Sequence, residues 1–342
     1  MDGQGRLPLL VIAGTTASGK TECAVRVAEE AGGEIVNADS MQVYRGLEVG
    51  TAKPTAAQRQ RARFHLVDVV EPDQPYSVAL YQQQARAAIA GIAQRGRLPI
   101  LCGGTGLYLR AVTQGFDFPP GERGSSLRQR LEAEMRELGP EAMHARLAAL
   151  DPAAAARTHP HNRQRVIRAL EIAELPACPG GAPSRAGGPP PPGPGPASVD
   201  APERIPYNAA KFVLTGPREA LYARIERRVD EMLAAGWLEE VRRLLARGLS
   251  PELQSLQALG YGHLARHVAG ETDLAEARRL IQRDTRRYAK RQLTWFRREP
   301  DGVWLSWATP GEWEELVAQV PAAARRLCAA ETWRPNETRP PD

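Results

Sequence analysis

The sequence predicts an α/β fold, a parallel sheet flanked by helices with a small all-helical domain inserted into it, and three observations carry that prediction. Short apolar runs alternate with segments of helical spacing through the first third of the 342-residue chain, the order that gives parallel strands covered on both faces. A glycine-rich turn at residues 14–21, G-T-T-A-S-G-K-T, joins the first such run to the first such helix. Residues 127–175 are helical in pattern throughout and offer no strand.

Taken in order, residues 7–13 (L-P-L-L-V-I-A) are a buried-strand run, and residues 22–31 have the apolar spacing of a helix. In a strand, glycine turn, helix context, successive backbone N–H groups point into one concavity and the helix N-terminus adds partial positive charge. The main chain itself then binds a di- or triphosphate. Gly14, Thr16, Ala17, Ser18 and Gly19 form that cradle, Lys20 reaches the distal phosphates, and Thr21 offers a hydroxyl to Mg²⁺. The core is therefore expected to be P-loop NTPase-like. Further strands are read at 34–38, 64–70, 98–102 and 211–214, with a helix at 77–95 and long helical patterns at 218–247 and 274–298. The core thus comprises 1–118 and 207–320, C-terminal basic helices included, interrupted by a helical lobe at 119–175. Residues 176–206, which include A-C-P-G-G-A-P-S-R-A-G-G-P-P-P-P-G-P-G-P, cannot build a core and read as a disordered connection. A flexible tail is expected at 331–342.

Composition narrows the function classes. Hydrophobic residues at 42% and charged residues at 25% suit a soluble globular protein with a sizeable core. No apolar stretch approaches the ~20 residues that span a bilayer, and the start, M-D-G-Q-G-R, has neither a secretory core nor a transit-peptide character, so a cytoplasmic address is expected. Cys23, Cys102, Cys178 and Cys328 show no C-x-x-C pairing, which argues against a zinc finger or a disulfide framework. The net charge of +5 favours a polyanionic partner only weakly.

Several residues outside the phosphate loop bear chemistry. Asp39 directly follows the second strand, where strand ends line the ligand crevice; a carboxylate there serves as metal ligand, general base or cap. Lys53, in T-A-K-P, reads equally as a phosphate contact and as a solvated loop charge. Thr105, in G-G-T-G-L-Y, places a hydroxyl beside a helix N-terminus, suited to a phosphate oxygen gaining charge. Arg224 and Arg228, four apart on a helix, share a face and can converge on phosphate. Residues 278–298 carry nine lysines and arginines against one acid, with Tyr288, Trp295 and Phe296 interleaved, a pattern that fits a nucleic-acid backbone or a buried aromatic stripe.

Together, G-T-T-A-S-G-K-T, N-A-D-S-M-Q-V-Y-R-G, G-T-A-K-P, L-C-G-G-T-G-L-Y-L-R-A, R-V-I-R-A-L-E-I, R-I-E-R-R-V-D-E-M, L-G-Y and Y-A-K-R-Q-L-T-W-F-R, in this order, resemble the bacterial type of the tRNA dimethylallyltransferase family. The resemblance implies transfer of a dimethylallyl group from dimethylallyl diphosphate to N6 of adenosine 37 in tRNAs reading codons that begin with U, with Mg²⁺ and release of diphosphate. By the family pattern Asp39 is the base, Thr105 contacts the oxygen bridging donor and leaving group, and Arg228 joins Lys20 and Thr21 in stabilising that group. Contacts to the anticodon stem-loop are implied for Asp39, Ser40, Met41 and Gln42, for Arg128, for Gln164, Arg165, Val166, Ile167 and Arg168, and for Gln257, Ala258, Leu259, Gly260, Tyr261 and Gly262. Asn162 stands where relatives carry aspartate. A monomer without membrane attachment is expected. The competing readings are a P-loop kinase, an adenylate isopentenyltransferase acting on AMP or ADP, and a nucleotide-gated RNA-binding module.

Overall fold

The computed structural model describes residues 5–114, 126–174, 207–299 and 301–329; the proline- and glycine-rich stretch at 176–206 and the tail at 331–342 lie outside them. In chain order the elements are β1 (Leu7–Gly14), α1 (Lys20–Ala31), β2 (Gly33–Asn37), α2 (Ala56–Arg61), β3 (Phe64–His65), α3 (Val78–Gln94), β4 (Leu98–Gly103), α4 (Gly106–Thr113), α5 (Ser126–Leu150), α6 (Pro152–Ala156), α7 (Arg163–Glu174), β5 (Tyr207–Thr215), α8 (Arg218–Ala234), α9 (Trp237–Ala246), α10 (Tyr261–Val268), α11 (Leu274–Phe296), β6 (Gly302–Ser306), α12 (Pro310–Val317) and α13 (Val320–Cys328). The six strands form one parallel sheet in the order β3-β2-β4-β1-β5-β6.

The alternation of side chains along a strand divides the core in two. Leu9, Val11 and Ala13 of β1, with Val36, Leu101 and Val213, join one apolar cluster that also contains residues of α3, α9, α10 and α11. Leu10 and Ile12, with Ile35, Ile100, Phe212 and Leu214, join the other, against α1, α12 and α13. Both faces are thus dry, which is why β1 and β4 read as unbroken apolar runs. The carboxyl ends of β1, β2 and β4 carry the phosphate loop, Asp39 and Thr105, so the strand ends expected to bear chemistry share one sheet edge.

Two compact units are present, residues 1–114 with 204–342 and residues 115–203. The second has its own core of Leu131, Met135, Met143, Leu147, Val166, Ile167 and Leu170. Its described residues, 126–174, are helical without a strand, and α5 is kinked at Gly139, which has φ 83 ahead of Pro140.

Four details differ from the sequence-based expectation. The strand read at 64–70 ends at His65, because Leu66 and Asp68 take left-handed conformations (φ 60 and 58); Val70 returns only as an isolated bridge to Tyr44. The helix read at 218–247 is two, divided where Gly236 at φ 93 caps α9. Strand β6 was not foreseen, since only Trp304 and Leu305 of its five residues are buried. Nor were α12 and α13, which cover the second face of the sheet.

Candidate active site

The phosphate loop leaves β1 and enters α1 through Gly19, a left-handed residue at φ 90. A side chain at Gly19 would strike the indole of Trp313, whose Nε1 donates to the Ser18 carbonyl at 3.1 Å. The loop therefore rests on α12, a support that its own motif does not announce. Ala17 is also left-handed, at φ 62, a conformation that costs a non-glycine residue about 1–3 kcal/mol and persists only where packing imposes it. Here Ala17 is buried against Ile225 and Ala289.

The other two strand-end loops are stitched together beside it. Ala38 N–H donates to the Cys102 carbonyl at 2.7 Å and Thr105 N–H to the Ala38 carbonyl at 3.1 Å. Ser40 N–H donates to Thr105 Oγ1 at 3.1 Å. Asp39 lies within this seam: Oδ1 accepts Met41 N–H at 2.9 Å, and Asn37 Oδ1 accepts Asp39 N–H at 3.2 Å. The second carboxylate oxygen has no protein partner among the described residues. Thr105 is the residue before α4, yet its side chain makes no capping bond to that helix. Its oxygen accepts from Ser40 N–H and its hydroxyl donates to Ser40 Oγ at 3.4 Å, a long bond that a ligand oxygen can replace.

A cavity of about 350 Å³ opens at this edge, lined by Thr16, Ala17, Gly19, Lys20, Thr21, Asp39, Gln42, Cys102, Arg224, Arg228, Tyr288 and Gln292, among others. Lys20 Nζ donates to the Thr15 carbonyl at 3.2 Å. Burial pushes its pKa down, with Arg228 adding to the push and Cys102 and Asp39 opposing it. Burial likewise lowers the Arg228 pKa, against the pull of Asp39. Neither cation has a carboxylate at salt-bridge distance among the described residues. Asp39, Glu22 and Glu231 line the cavity against the cations Lys20, Lys53, Arg224, Arg227 and Arg228; the excess of positive charge, two of its members desolvated, is relieved by an anion with more than one charge.

Thr105 does not itself line the cavity. It is joined to it through Tyr288, which lines the cavity and whose phenol pKa burial pushes up, with the Asp39 charge adding and hydrogen bonds to Thr105 and Gln292 opposing. Tyr288 and Gln292 were not foreseen as site residues; the aromatic among the arginines of residues 278–298 was the only hint. Arg224 also lines the cavity, its guanidinium 4.5 Å from the Trp307 ring centroid. Cys102 is buried and burial pushes its thiol up to about 12, consistent with an unreactive thiol; Cys23 is buried as well.

Lys53, left open by the sequence, is buried, donating to the Tyr44 carbonyl at 2.7 Å, to Glu48 Oε1 at 2.8 Å and to the Asp68 carboxylate. Its ammonium is consumed by the protein, so it fixes the loop and is not a phosphate contact. Gln42 does similar work, donating to the carbonyls of Thr51 and Ala52, and Met41 packs on the core.

The segments implied to touch RNA divide into exposed and buried residues. In 257–262, Gln257 and Gly262 are exposed and Leu259 half-buried, while Ala258 is buried and Gly260 caps α10 at φ 96. Tyr261 is also buried and donates to Glu240 Oε1 at 2.6 Å. Glu240 meanwhile accepts the N–H groups of Glu48, Val49 and Gly50 at 2.7, 2.8 and 3.2 Å. Removing that carboxylate orphans three backbone donors and a phenol. Glu240→Ala is expected to cost about 3 kcal/mol, read as a lowered urea midpoint; an unchanged midpoint would contradict that role. In the helical unit, Gln164 and Arg165 are exposed, Val166 and Ile167 belong to the core, and Arg168 pairs with Glu171 at 3.2 Å. Arg128 is half-buried and pairs with Glu132 and Glu171 at 2.8 and 3.1 Å. Side-chain contact by Val166, Ile167, Ala258 or Tyr261 is thus closed off by packing. Asn162 Oδ1 accepts Arg165 N–H at 3.3 Å, the capping bond an aspartate would make.

The residues fit a divalent metal of the Mg²⁺ kind. Thr21 and Asp39 present hard oxygens to the cavity, and among the described residues no group of three or more His, Cys, Asp or Glu forms a closed cage. Mg²⁺ takes one or two protein oxygens, substrate phosphates and waters.

Comparison with known proteins gives the family. A family model described as IPP transferase matches residues 42–299, and one described as isopentenyl transferase matches residues 7–70. A protein named tRNA dimethylallyltransferase from Pelotomaculum thermopropionicum is 46% identical over 313 residues, covering 92% of this chain and 95% of its own. The full-length tRNA isopentenylpyrophosphate transferase of Bacillus halodurans is similar in structure with a TM-score of 0.66 at 38% identity, covering 94% of this chain and 98% of that one. A eukaryotic dimethylallyltransferase acting on tRNA shares the fold, with a TM-score of 0.76 at 23% identity over 98% of this chain and 82% of that one.

Proposed function

Because the chain belongs to the tRNA dimethylallyltransferase family, we propose that it transfers a dimethylallyl group from dimethylallyl diphosphate to N6 of adenosine 37 in tRNAs reading codons that begin with U, releasing diphosphate. The observation that carries the reading is the pairing of Lys20 and Arg228, buried and without ion-pair partners among the described residues, with Asp39, the carboxylate whose charge acts on both, in the same cavity. The cations and the loop N–H groups hold a leaving diphosphate, and the carboxylate faces the incoming nucleophile.

The exocyclic amine of adenine is a poor nucleophile, so it needs a base in hydrogen-bond reach and a leaving group whose charge is stabilised. Asp39 accepts the N6 proton on the oxygen that Met41 does not occupy. N6 bonds to C1 of the donor as the C1–O bond breaks, and its electron pair leaves with the diphosphate. Thr105 gives its hydroxyl hydrogen to the bridging oxygen, while Lys20, Arg228 and the loop N–H groups meet the charge that develops. Thr21, with Asp39 close by, would hold Mg²⁺, which when bound supplies further charge neutralisation. The adenine must leave its stack to reach this site, at a cost of a few kcal/mol that protein contacts offset.

The RNA partner is the anticodon stem-loop, met by exposed cations and loop edges. In α11, Arg278, Arg279, Arg283, Arg286 and Arg287 are ion-paired within the protein, whereas Lys290 is exposed with no such pair among the described residues. Neutralising Lys290 is expected to lower the salt slope of RNA binding by about one unit, and neutralising Arg278 to change it less; equal slopes for both variants would remove α11 from the interface. No described helix is long and apolar enough to cross a membrane, and we read the protein as a cytoplasmic monomer.

The test follows the leaving group. With Mg²⁺ and an anticodon stem-loop, diphosphate should be released from dimethylallyl diphosphate in step with RNA, and free AMP should not substitute. Transfer of phosphate from ATP to an acceptor instead would establish a kinase, and turnover with AMP alone an adenylate isopentenyltransferase.

A further inference from the structure

The phosphate loop is not wholly vacant toward its ligand. Thr16 and Gln292 both line the cavity, and Thr16 N–H donates to Gln292 Oε1 at 2.8 Å. Gln292 Nε2 in turn donates to the Gly104 carbonyl at 2.9 Å. The side chain is only 6% exposed and comes from α11, held in place beside Tyr288. An amide oxygen accepts a hydrogen bond as a phosphate oxygen does. One N–H of the nest is therefore already satisfied by the protein, through a group that cannot turn away without breaking a second hydrogen bond and orphaning a buried carbonyl.

A loop of this kind can hold two phosphates or three, and each further phosphate needs its own donors. We propose that Gln292 occupies the place of a terminal third phosphate, shortening the cradle so that the site selects diphosphates against triphosphates. The inference rests on the reading above for the identity of the donor, and it adds how a loop shared with nucleotide-binding proteins is kept from binding the abundant nucleoside triphosphates. The group responsible lies 276 residues away from the loop it modifies.

Direct binding to the full chain tests this without turnover. Inorganic pyrophosphate and tripolyphosphate are titrated by calorimetry at saturating Mg²⁺. The wild-type protein should prefer pyrophosphate. In Gln292→Ala the ratio of the two affinities should move toward tripolyphosphate by about tenfold or more, since a hydrogen bond to a charged group is released for the third phosphate. In Gln292→Glu, which still accepts from Thr16 but adds a negative charge, the ratio should move further toward pyrophosphate. If both affinities fall together in Gln292→Ala, Gln292 is only a structural tie and the proposal is overturned. Should that variant fail to fold, an unchanged ratio in Gln292→Glu overturns it equally. Loss of transfer with the binding preference intact would count against the reading of the reaction and not against this selectivity.

Discussion

Asp39→Asn is expected to lower transfer to the anticodon stem-loop by about 10²–10⁴-fold, the contribution of a positioned general base, while the protein stays folded. Asparagine keeps a side-chain oxygen for Met41 N–H, so the seam between the loops at 38–40 and 103–105 survives. What is lost is the proton acceptor. The carboxylate also opposes the charge of Lys20 and Arg228, so the variant should bind pyrophosphate at least as tightly as the wild type. Single-turnover rates and calorimetric titration separate these effects. A near-normal rate would remove Asp39 as base, and a sharp loss of pyrophosphate binding would make it a ligand-holding group.

Gly103→Ala should damage the same site without altering any group that reacts. A Cβ at Gly103 would lie 2.2 Å from the Ala38 carbonyl oxygen and 2.3 Å from its carbon, and backbone cannot yield as a side-chain end can. The strands β2 and β4 must part where Asp39 begins. The expected cost is about 3 kcal/mol, at the upper end for overpacking, with a loss in rate of about a hundredfold from a displacement near 1 Å. Thermal melting together with kcat/KM checks it. Wild-type values for both would show that the seam is not what places Asp39.

What the sequence revealed, and what it hid, follows the distance over which each interaction is formed. The phosphate loop, Asp39 and Thr105 were legible because each sits at the end of its own apolar run, and parallel strands bring their carboxyl ends to one edge whatever their order. Gln292 and Trp313 reach the loop across 276 and 295 residues, and no periodicity encodes that. Glu240 was invisible for the same reason, since a glutamate on an amphipathic helix reads as solvated until its three backbone donors are seen. The strand read at 64–70 failed because Leu66 and Asp68 are left-handed, with Asp68 drawn to Lys53 and Arg59; apolar alternation says nothing of a buried ion pair. Positions such as Val166 and Tyr261 show the converse. A family motif marks a segment, and packing decides which of its side chains stay outside.

The central claim is that the loop at residues 14–21 holds the leaving diphosphate of an alkyl donor while adenine N6 approaches Asp39. The most direct measurement digests the stem-loop after one turnover with labelled dimethylallyl diphosphate and locates the label by mass spectrometry. The expected result is one dimethylallyl group on N6 of the adenosine at position 37, formed about 10²–10⁴-fold more slowly when Asp39 is asparagine. A phosphorylated nucleoside, a label on another base, or an adduct that forms equally well without Asp39 would contradict it.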